Sequence, residues 1–389
     1  MPMRCTAEKA LPIFALRTAC VASLAVVLSA CTSVPTDDGI RIGLAAPLTG
    51  SIRHLGRDVE RGAQLAVEEV NGRSIVVGGK PLRLSLISQD DAGMPQQGIT
   101  AANALVSQKV NAVIGHLNSG TSIPAARVYD AAGVPQISPS ATNPKLTRMG
   151  FERVFRMVAD DVQLAEELGR YAVNRLGARR IMVVDDRSAY GQGIADVFER
   201  TLLSQGAVVL PRQFANKSAT SLTLTVDAIA AQGPDLVFYG GMDIDLGKLI
   251  RSVAQRGLRP KWIGGDGICS GELPKFASGL ADDQVYCAEG GGPPLKPSLQ
   301  YQEFADRFTK KFGSAPILYA SNTYDSVQAV VAAMVAAGST DSKIWVPYLR
   351  STPKLLGANG VIEFDASGNL RQPYVSFFTY RRDSRVQIE

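Results

Sequence analysis

Two short apolar runs in this chain each open into a cluster of small polar residues. Val113-Ile114-Gly115 leads into Asn118-Ser119-Gly120-Thr121-Ser122, and Val134-Pro135-Gln136-Ile137 leads into Ser138-Pro139-Ser140-Ala141-Thr142. Hydroxyls and glycines in this pattern suit three chemistries: a phosphate cradle, a serine nucleophile, or a grip on another small polar group. The cradle fails on residue type. Gly115 and Gly120 have the outer spacing of a nucleotide loop, but Thr121-Ser122 stand where lysine followed by Ser or Thr is required. Gly191-x-Gly193 lacks the third glycine of a dinucleotide fingerprint. A nucleophile needs a base, and no Gly-x-Ser-x-Gly elbow is present. A hydrolase built on Ser119 and His54 stays open as the enzymatic alternative, although His54 and His116 each read more simply as surface or hinge residues. The pairs Asp90-Asp91 and Asp160-Asp161 read as helix caps and loop ends.

Binding without covalent chemistry uses the same residues more fully. Ser119, Ser140 and Thr142 offer hydroxyls, and the loops around them offer backbone N–H groups. Ser122 reads as an N-cap with Pro124 in the first turn. The positive end of that helix then faces the same loop and favours an anion such as a carboxylate. Later in the chain Asp266 sits in Gly264-Gly265-Asp266-Gly267, where glycines let the backbone approach a ligand. On its own it reads as a turn aspartate; opposite an anion seat, it makes the pair that an α-amino acid zwitterion requires.

The elements that must carry these residues alternate. Strand-like runs at Ile40–Ala46, Leu82–Ser88, Ala112–Gly115 and Pro135–Ile137 are separated by amphipathic stretches at Leu55–Asn71, Pro95–Lys109 and Ser122–Ala132. After Val154–Val158 the rhythm restarts, with strands at Arg180–Asp185, Ala207–Phe214, Leu236–Tyr239 and Trp262–Gly264. Helices at Tyr190–Gln205, Ala219–Gln232 and Ile244–Gly257 lie between them. RIGLAAPLTG and VNAVIGHLNSG are echoed by RIMVVDDRSAYGQG and PDLVFYGGMDID, a divergent repeat. Near-continuous apolar strands between helices predict an α/β protein of two similar lobes, each an open parallel sheet with helices on both faces. Gly290–Pro294 reads as a crossing, followed by helices at Ser298–Phe312 and Asn322–Gly338. Closing strands at Gly360–Phe364 and Tyr374–Tyr380 are expected to complete both sheets. The first lobe is expected to span residues 40–158 with 290–358, and the second 159–289 with 359–389. In open sheets of this type ligands sit beyond the carboxyl ends of the strands, where both opening clusters, Tyr190, Met242 and Asp266 fall.

Composition narrows the class. The chain has 389 residues, 46% apolar and 20% charged, and 41 basic against 36 acidic residues give +5. That describes a globular protein, without the basic blocks of a nucleic-acid binder; Arg381-Arg382 and Arg385 read as a solvated terminus. Arg4, Lys9 and Arg17 precede an apolar run, Thr18 to Leu28, too short to span a bilayer. Leu28-Ser29-Ala30-Cys31 follows. Residues 1–30 therefore read as an export signal, and the tetrapeptide resembles the bacterial lipoprotein box. That resemblance implies cleavage before Cys31, a diacylglycerol on its sulfur, and a polar leash over residues 31–39 tethered to a membrane. Cys5 and Cys20 leave with the signal. Cys269 and Cys287 remain in an oxidising setting and are expected to form a disulfide, worth about 3 kcal/mol by the loop-entropy argument. Two cysteines and two distant histidines do not make a metal site, and no cofactor is implied.

VIGHLNSGTSIPAARVYDAAGVPQISPSATNPKLT, with DDRSAYGQGIA, DLVFYGGMDIDLGKLIRSVAQRGL and WIGGDG, resembles the periplasmic leucine/isoleucine/valine-binding protein family. The resemblance runs in order from about Ile40 to about Tyr380. It implies a type I periplasmic binding fold, two lobes joined by three crossovers, and a monomer that hands a small ligand to an ABC permease with its ATPase. It also implies that Ser119, Ser140, Ala141 and Thr142 hold a ligand carboxylate, that Thr142 and Asp266 hold the ammonium, and that Tyr190 lines the closing lobe. Leu55 and Met242 stand where amino-acid binders of the family carry aromatic residues, so an aliphatic pocket is expected. The rival reading is a sensor of the same fold for an amide or small carboxylate.

Overall fold

A computed structural model describes residues 39–215, 219–292, 295–351 and 354–388. The signal read over residues 1–30 and the lipidation site Cys31 lie outside the described residues.

The chain begins with β1 (Ile40–Ala46), α1 (Arg53–Gly72) and a small hairpin, β2 (Val76–Val77) with β3 (Lys80–Pro81). It continues through β4 (Leu84–Asp90), α2 (Pro95–Ser107), β5 (Ala112–Gly115), α3 (Ser119–Ala131), β6 (Gln136–Ser138) and β7 (Val154–Arg156). The five longer strands form a parallel sheet in the order β4-β1-β5-β6-β7. Its two faces follow from strand alternation: Ile42 and Leu44 pack with Leu55 and Val59 of α1, whereas Ala45 and Val113 pack with Leu105 of α2 and Tyr129 of α3.

The second half runs through α4 (Asp161–Asn174), β8 (Arg180–Asp185), α5 (Ala189–Ser204), β9 (Val208–Phe214), α6 (Ala219–Gln232) and β10 (Leu236–Gly240). Then come α7 (Asp243–Ala254), β11 (Lys261–Gly264), α8 (Leu273–Ala277) and β12 (Val285–Gly290). The chain returns through α9 (Leu299–Phe312), α10 (Ala320–Ala337), α11 (Ser342–Ser351), the strands β13 (Leu355–Gly357) and β14 (Gly360–Ile362), and finally β15 (Val375–Arg381) and β16 (Ser384–Gln387). The second sheet has the order β16-β15-β12-β11-β10-β8-β9. Ile181, Val183 and Phe238 bury one face against Leu164 of α4 and Phe198 of α5. Met182, Val184 and Val237 bury the other against Leu246 and Leu249 of α7.

The predicted α/β architecture is present, with three differences. The second sheet is mixed, because β15, entering from the third crossing, pairs antiparallel with β12, and β16 pairs antiparallel with β15; β16 follows β15 in a hairpin, which needs no crossover helix. Gly360–Phe364 does not complete a main sheet: Gly360–Ile362 pairs with Leu355–Gly357 in a hairpin against α10. Finally, α3 starts at Ser119 rather than after Ser122. Its N-cap is Asn118, and the Ser122 hydroxyl donates to the His116 carbonyl at 2.9 Å.

The chain passes between the sheets three times: after β7, after β12, and between β14 and β15. Helices α9 and α10 return to α1. At Gly62 of α1 a Cβ would lie 2.2 Å from the Ala320 carbonyl oxygen, so only glycine lets the two helices approach this closely. The loop before α10 is seated by Asp58, a buried α1 residue whose carboxylate accepts the N–H groups of Ile317, Leu318, Tyr319 and Ala320 at 2.8 to 3.0 Å. Cys269 and Cys287 form the expected disulfide.

Candidate functional site

β5 ends at Gly115, whose φ of +138° and close approach to the Ala45 carbonyl admit no side chain. The chain turns there through a cis peptide to His116. His116 is not the surface or hinge residue its sequence suggested. It is fully buried, bonded through Nδ1 to Asp91 at 2.7 Å and through Nε2 to the Tyr129 hydroxyl at 3.0 Å. Its carbonyl accepts the hydroxyls of Ser122 and Ser138. This network locks the two opening clusters together, which is why small hydroxyl residues follow both strands.

Ser119, Ser140, Ala141 and Thr142 all become buried on this platform. The Ser119 Oγ accepts the Asn143 N–H at 3.3 Å, and the Ser140 hydroxyl donates to the Leu117 carbonyl at 2.8 Å. The Ala141 N–H is held by Ser138 and its carbonyl by Arg156. Thr142 differs. Its hydroxyl is buried without a hydrogen bond. Directly beside it lies Asp161, the first residue of α4, fully buried with both carboxylate oxygens also unbonded. Thr142 is close enough to favour the charged carboxylate, yet burial, aided by the charge on Asp266, pushes the Asp161 pKa up to about 8.

The second half of the chain supplies the opposite wall. Tyr190, in the first turn of α5, donates to Asp266 Oδ1 at 2.8 Å, and the Gly267 N–H reaches both groups. The Tyr319 hydroxyl, ahead of α10, lies close enough to favour the charged form of this carboxylate. Burial outweighs these donors and lifts the Asp266 pKa to about 6. Met242 caps α7 half-buried, and Leu55 is fully buried in the first turn of α1.

Among the bonds that cross between the halves, two reach the first residues of α5 and α7. Asn143 Nδ2 donates to the Ala189 carbonyl at 2.7 Å, and His54 Nε2 meets Asp243 Oδ2 at 2.8 Å. Asp243 is buried and also accepts the Ser270 hydroxyl, while the His54 ring packs edge-on against Phe276. His54 is thus spent on an acid. No hydrogen bond joins it to Ser119, and the described residues hold no cluster of three metal-ligating side chains.

Sequence reasoning missed Asp161, Tyr319 and Arg156. Asp160 is the expected cap, closing a capping box with Gln163. The cap's neighbour turns inward, however. A cap followed by a second acid, just past a strand end, was the available signal. Arg385 is likewise no solvated residue: it lies over Phe378 and pairs with buried Glu289 at 3.1 Å.

Two helix-flanked sheets, three crossings between them and buried polar groups where they meet define a bilobal binding fold. The periplasmic binding protein family model matches residues 39–383, and the chain belongs to that family. It is 33% identical over 332 residues to an amino acid binding protein of Pseudomonas aeruginosa, covering 85% of this chain and 87% of that one. It is 32% identical to Leu/Ile/Val-binding protein homolog 1 of Brucella abortus, covering 87% and 90%. The branched-chain amino acid transporter substrate-binding protein LivJ of Streptococcus pneumoniae, solved in complex with isoleucine, superposes with a TM-score of 0.81. It is 25% identical, with 90% of this chain and 99% of that chain covered. The fold is that of type I periplasmic binding proteins.

Proposed function

We propose that this chain is an extracytoplasmic solute-binding protein that captures an aliphatic or branched-chain amino acid, or a close analogue, by closing its lobes. The observation that carries the reading is the set of orphaned polar atoms where the halves meet. The Thr142 hydroxyl and both Asp161 oxygens are buried without donors, and leaving such groups unpaired is costly. An ammonium brings three N–H donors and a positive charge, the complement of that set. Asp266, bonded by Tyr190 and faced by Tyr319, completes the negative wall. The first turn of α3, with Ser119 and Ser140 beside it, makes the anion seat through its free N–H groups and dipole. Leu55 and Met242 fit an aliphatic side chain. The relatives named above bind amino acids or leucine, isoleucine and valine by their descriptions, which supports the same class here.

In this reading the ligand meets the first lobe, residues 40–158 with 290–358, and the second lobe, residues 159–289 with the C-terminal strands, closes over it. The hairpin packed on α10 moves the third crossing to the residues between Ile362 and Val375. Closure is favoured because only the closed form contacts ligand from both sides. Cys31 carries the lipid that keeps the clamp near an ABC permease and its ATPase, to which the ligand is delivered. No step makes or breaks a covalent bond.

Calorimetry of the mature chain against leucine, isoleucine, valine, their amides and their deaminated acids tests this. Amino acids should bind, and loss of either charged end should weaken binding. Asp266→Ala should cost about 1 to 3 kcal/mol of affinity. Tight binding of a deaminated acid with none of the amino acids refutes the assignment. Release of a Cys31→Ala variant from membranes checks the anchor.

A further inference from the structure

Arg156 ends β7 and is completely buried. Arginine is almost never fully buried without an ion-pair partner, yet all its hydrogen bonds go to neutral acceptors. Nη1 donates to the Ala141 carbonyl at 2.8 Å, and Nη2 to the Asn143 carbonyl at 3.0 Å and the Thr147 hydroxyl at 2.9 Å. Nε donates to Asn369 Oδ1 at 2.8 Å. The two carbonyls flank Thr142. Asn369 belongs to the turn Asp365–Asn369, on the third crossing, and that turn is docked a second time by the Arg156 N–H on the Gly368 carbonyl. Gly368 has a φ of +88°, and a Cβ there would sit 2.2 Å from the Val154 carbonyl oxygen, so the docking needs glycine.

We propose that Arg156 is the positioning residue of the solute site: its planar fork fixes the Ala141–Asn143 segment, and with it the Thr142 hydroxyl, and ties that segment to the third crossing. The proposal rests on the solute-binding reading above. A rigid guanidinium can serve acceptors in three directions at once, which a lysine ammonium on a flexible stem cannot. The charge has a second effect. Asp160, Asp161, Asp365 and Arg148 are the charged groups around Arg156, and its field favours the ionised form of Asp161, which Thr142, Asp266 and Asp160 also face. Removing the charge therefore makes Asp161 harder to ionise and weakens a cationic ligand most at low pH.

Leucine binding by the mature protein is measured by calorimetry between about pH 5.5 and 9, with Arg156→Met and Arg156→Lys alongside the wild type. The methionine variant should bind about 10- to 100-fold more weakly, with the pH at which binding falls away displaced upward. Lysine should restore that pH without restoring affinity. Where the methionine variant does not fold, a double-mutant cycle of Asn369→Ala and Thr142→Val replaces it, and the two losses should be non-additive. A folded methionine variant with wild-type affinity, a weakened one with an unmoved pH profile, or an additive cycle overturns the role of Arg156. A wild type that binds no amino acid overturns the solute reading first, and this one with it.

Discussion

On the proposed solute-binding reading, the buried pair Asp161 and Asp266 sets ligand recognition against stability. Asp161 has an ordinary value of 3.8 raised to about 8 by burial, with the charge on Asp266 adding to it. A group whose pKa is raised on folding contributes fully below its unfolded value and loses that contribution as pH rises through the folded value. Between about pH 4 and pH 8, Asp161 therefore makes the ligand-free fold steadily less stable. At pH 7, about 3 pH units above the ordinary 3.8 and still below the folded value of about 8, this corresponds to about 4 kcal/mol at 1.36 kcal/mol per pH unit; relaxation and water entry reduce this, so about 2 to 4 kcal/mol is expected. Asp161→Asn keeps the shape and removes the charge. Its melting temperature should exceed the wild type's by about 3 to 8 °C at pH 8 and match it near pH 4. The same substitution should weaken an amino acid by about 10- to 100-fold. Thermal scans across pH, with calorimetry on the same samples, read both. A variant that melts at or below the wild type at pH 8 refutes the reasoning, because Asp161 would then be supporting the fold and not waiting for a cation.

Affinity for an amino acid should rise from about pH 5 to pH 8 as Asp266, near 6, and Asp161, near 8, ionise; a decline over that range, measured by calorimetry, contradicts a cationic contact. His54→Phe removes one bond between the halves and should speed ligand release about 3- to 10-fold in stopped-flow fluorescence, at about 0.5 to 1.5 kcal/mol. Reducing the Cys269–Cys287 disulfide, which follows the Asp266 turn directly, should cost about 3 kcal/mol of stability in denaturant titration and weaken binding as that turn loosens.

Much of this molecule was legible in its strands and helices. Continuous Val/Ile/Leu runs between amphipathic stretches mark β1, β5, β8 and β10, because a strand covered on both faces has no polar side to alternate with. The closing segment was harder. Gly360–Ile362 has the composition of a core strand, but its partner is a short neighbouring strand, and pairing is decided by three-dimensional proximity that periodicity does not record. The hydroxyl clusters of the candidate site were visible, as was Asp266. Asp161 was hidden by its neighbour: an acid pair before a helix is commonly a cap, and Asp160 satisfies that role while the next side chain, turned by the helix, points inward. Arg156 and Tyr319 carry no local signal, since their partners lie up to hundreds of residues away. His116 is hidden for a related reason. A histidine in a polar loop resembles a surface residue until Asp91 and Tyr129 arrive from other elements.

Asn143 to Ala189 and His54 to Asp243 are bonds the protein makes with itself. A jaw that shuts partly on its own teeth asks less of whatever it holds. The energy by which cargo shifts the balance is its preference for the shut form alone, so every bond of this kind lengthens the hold on a correct molecule and on an incorrect one alike. On the proposed solute-binding reading, such a chain gains residence time and gives up some discrimination, leaving selectivity to the orphaned polar atoms at the centre rather than to the act of closing.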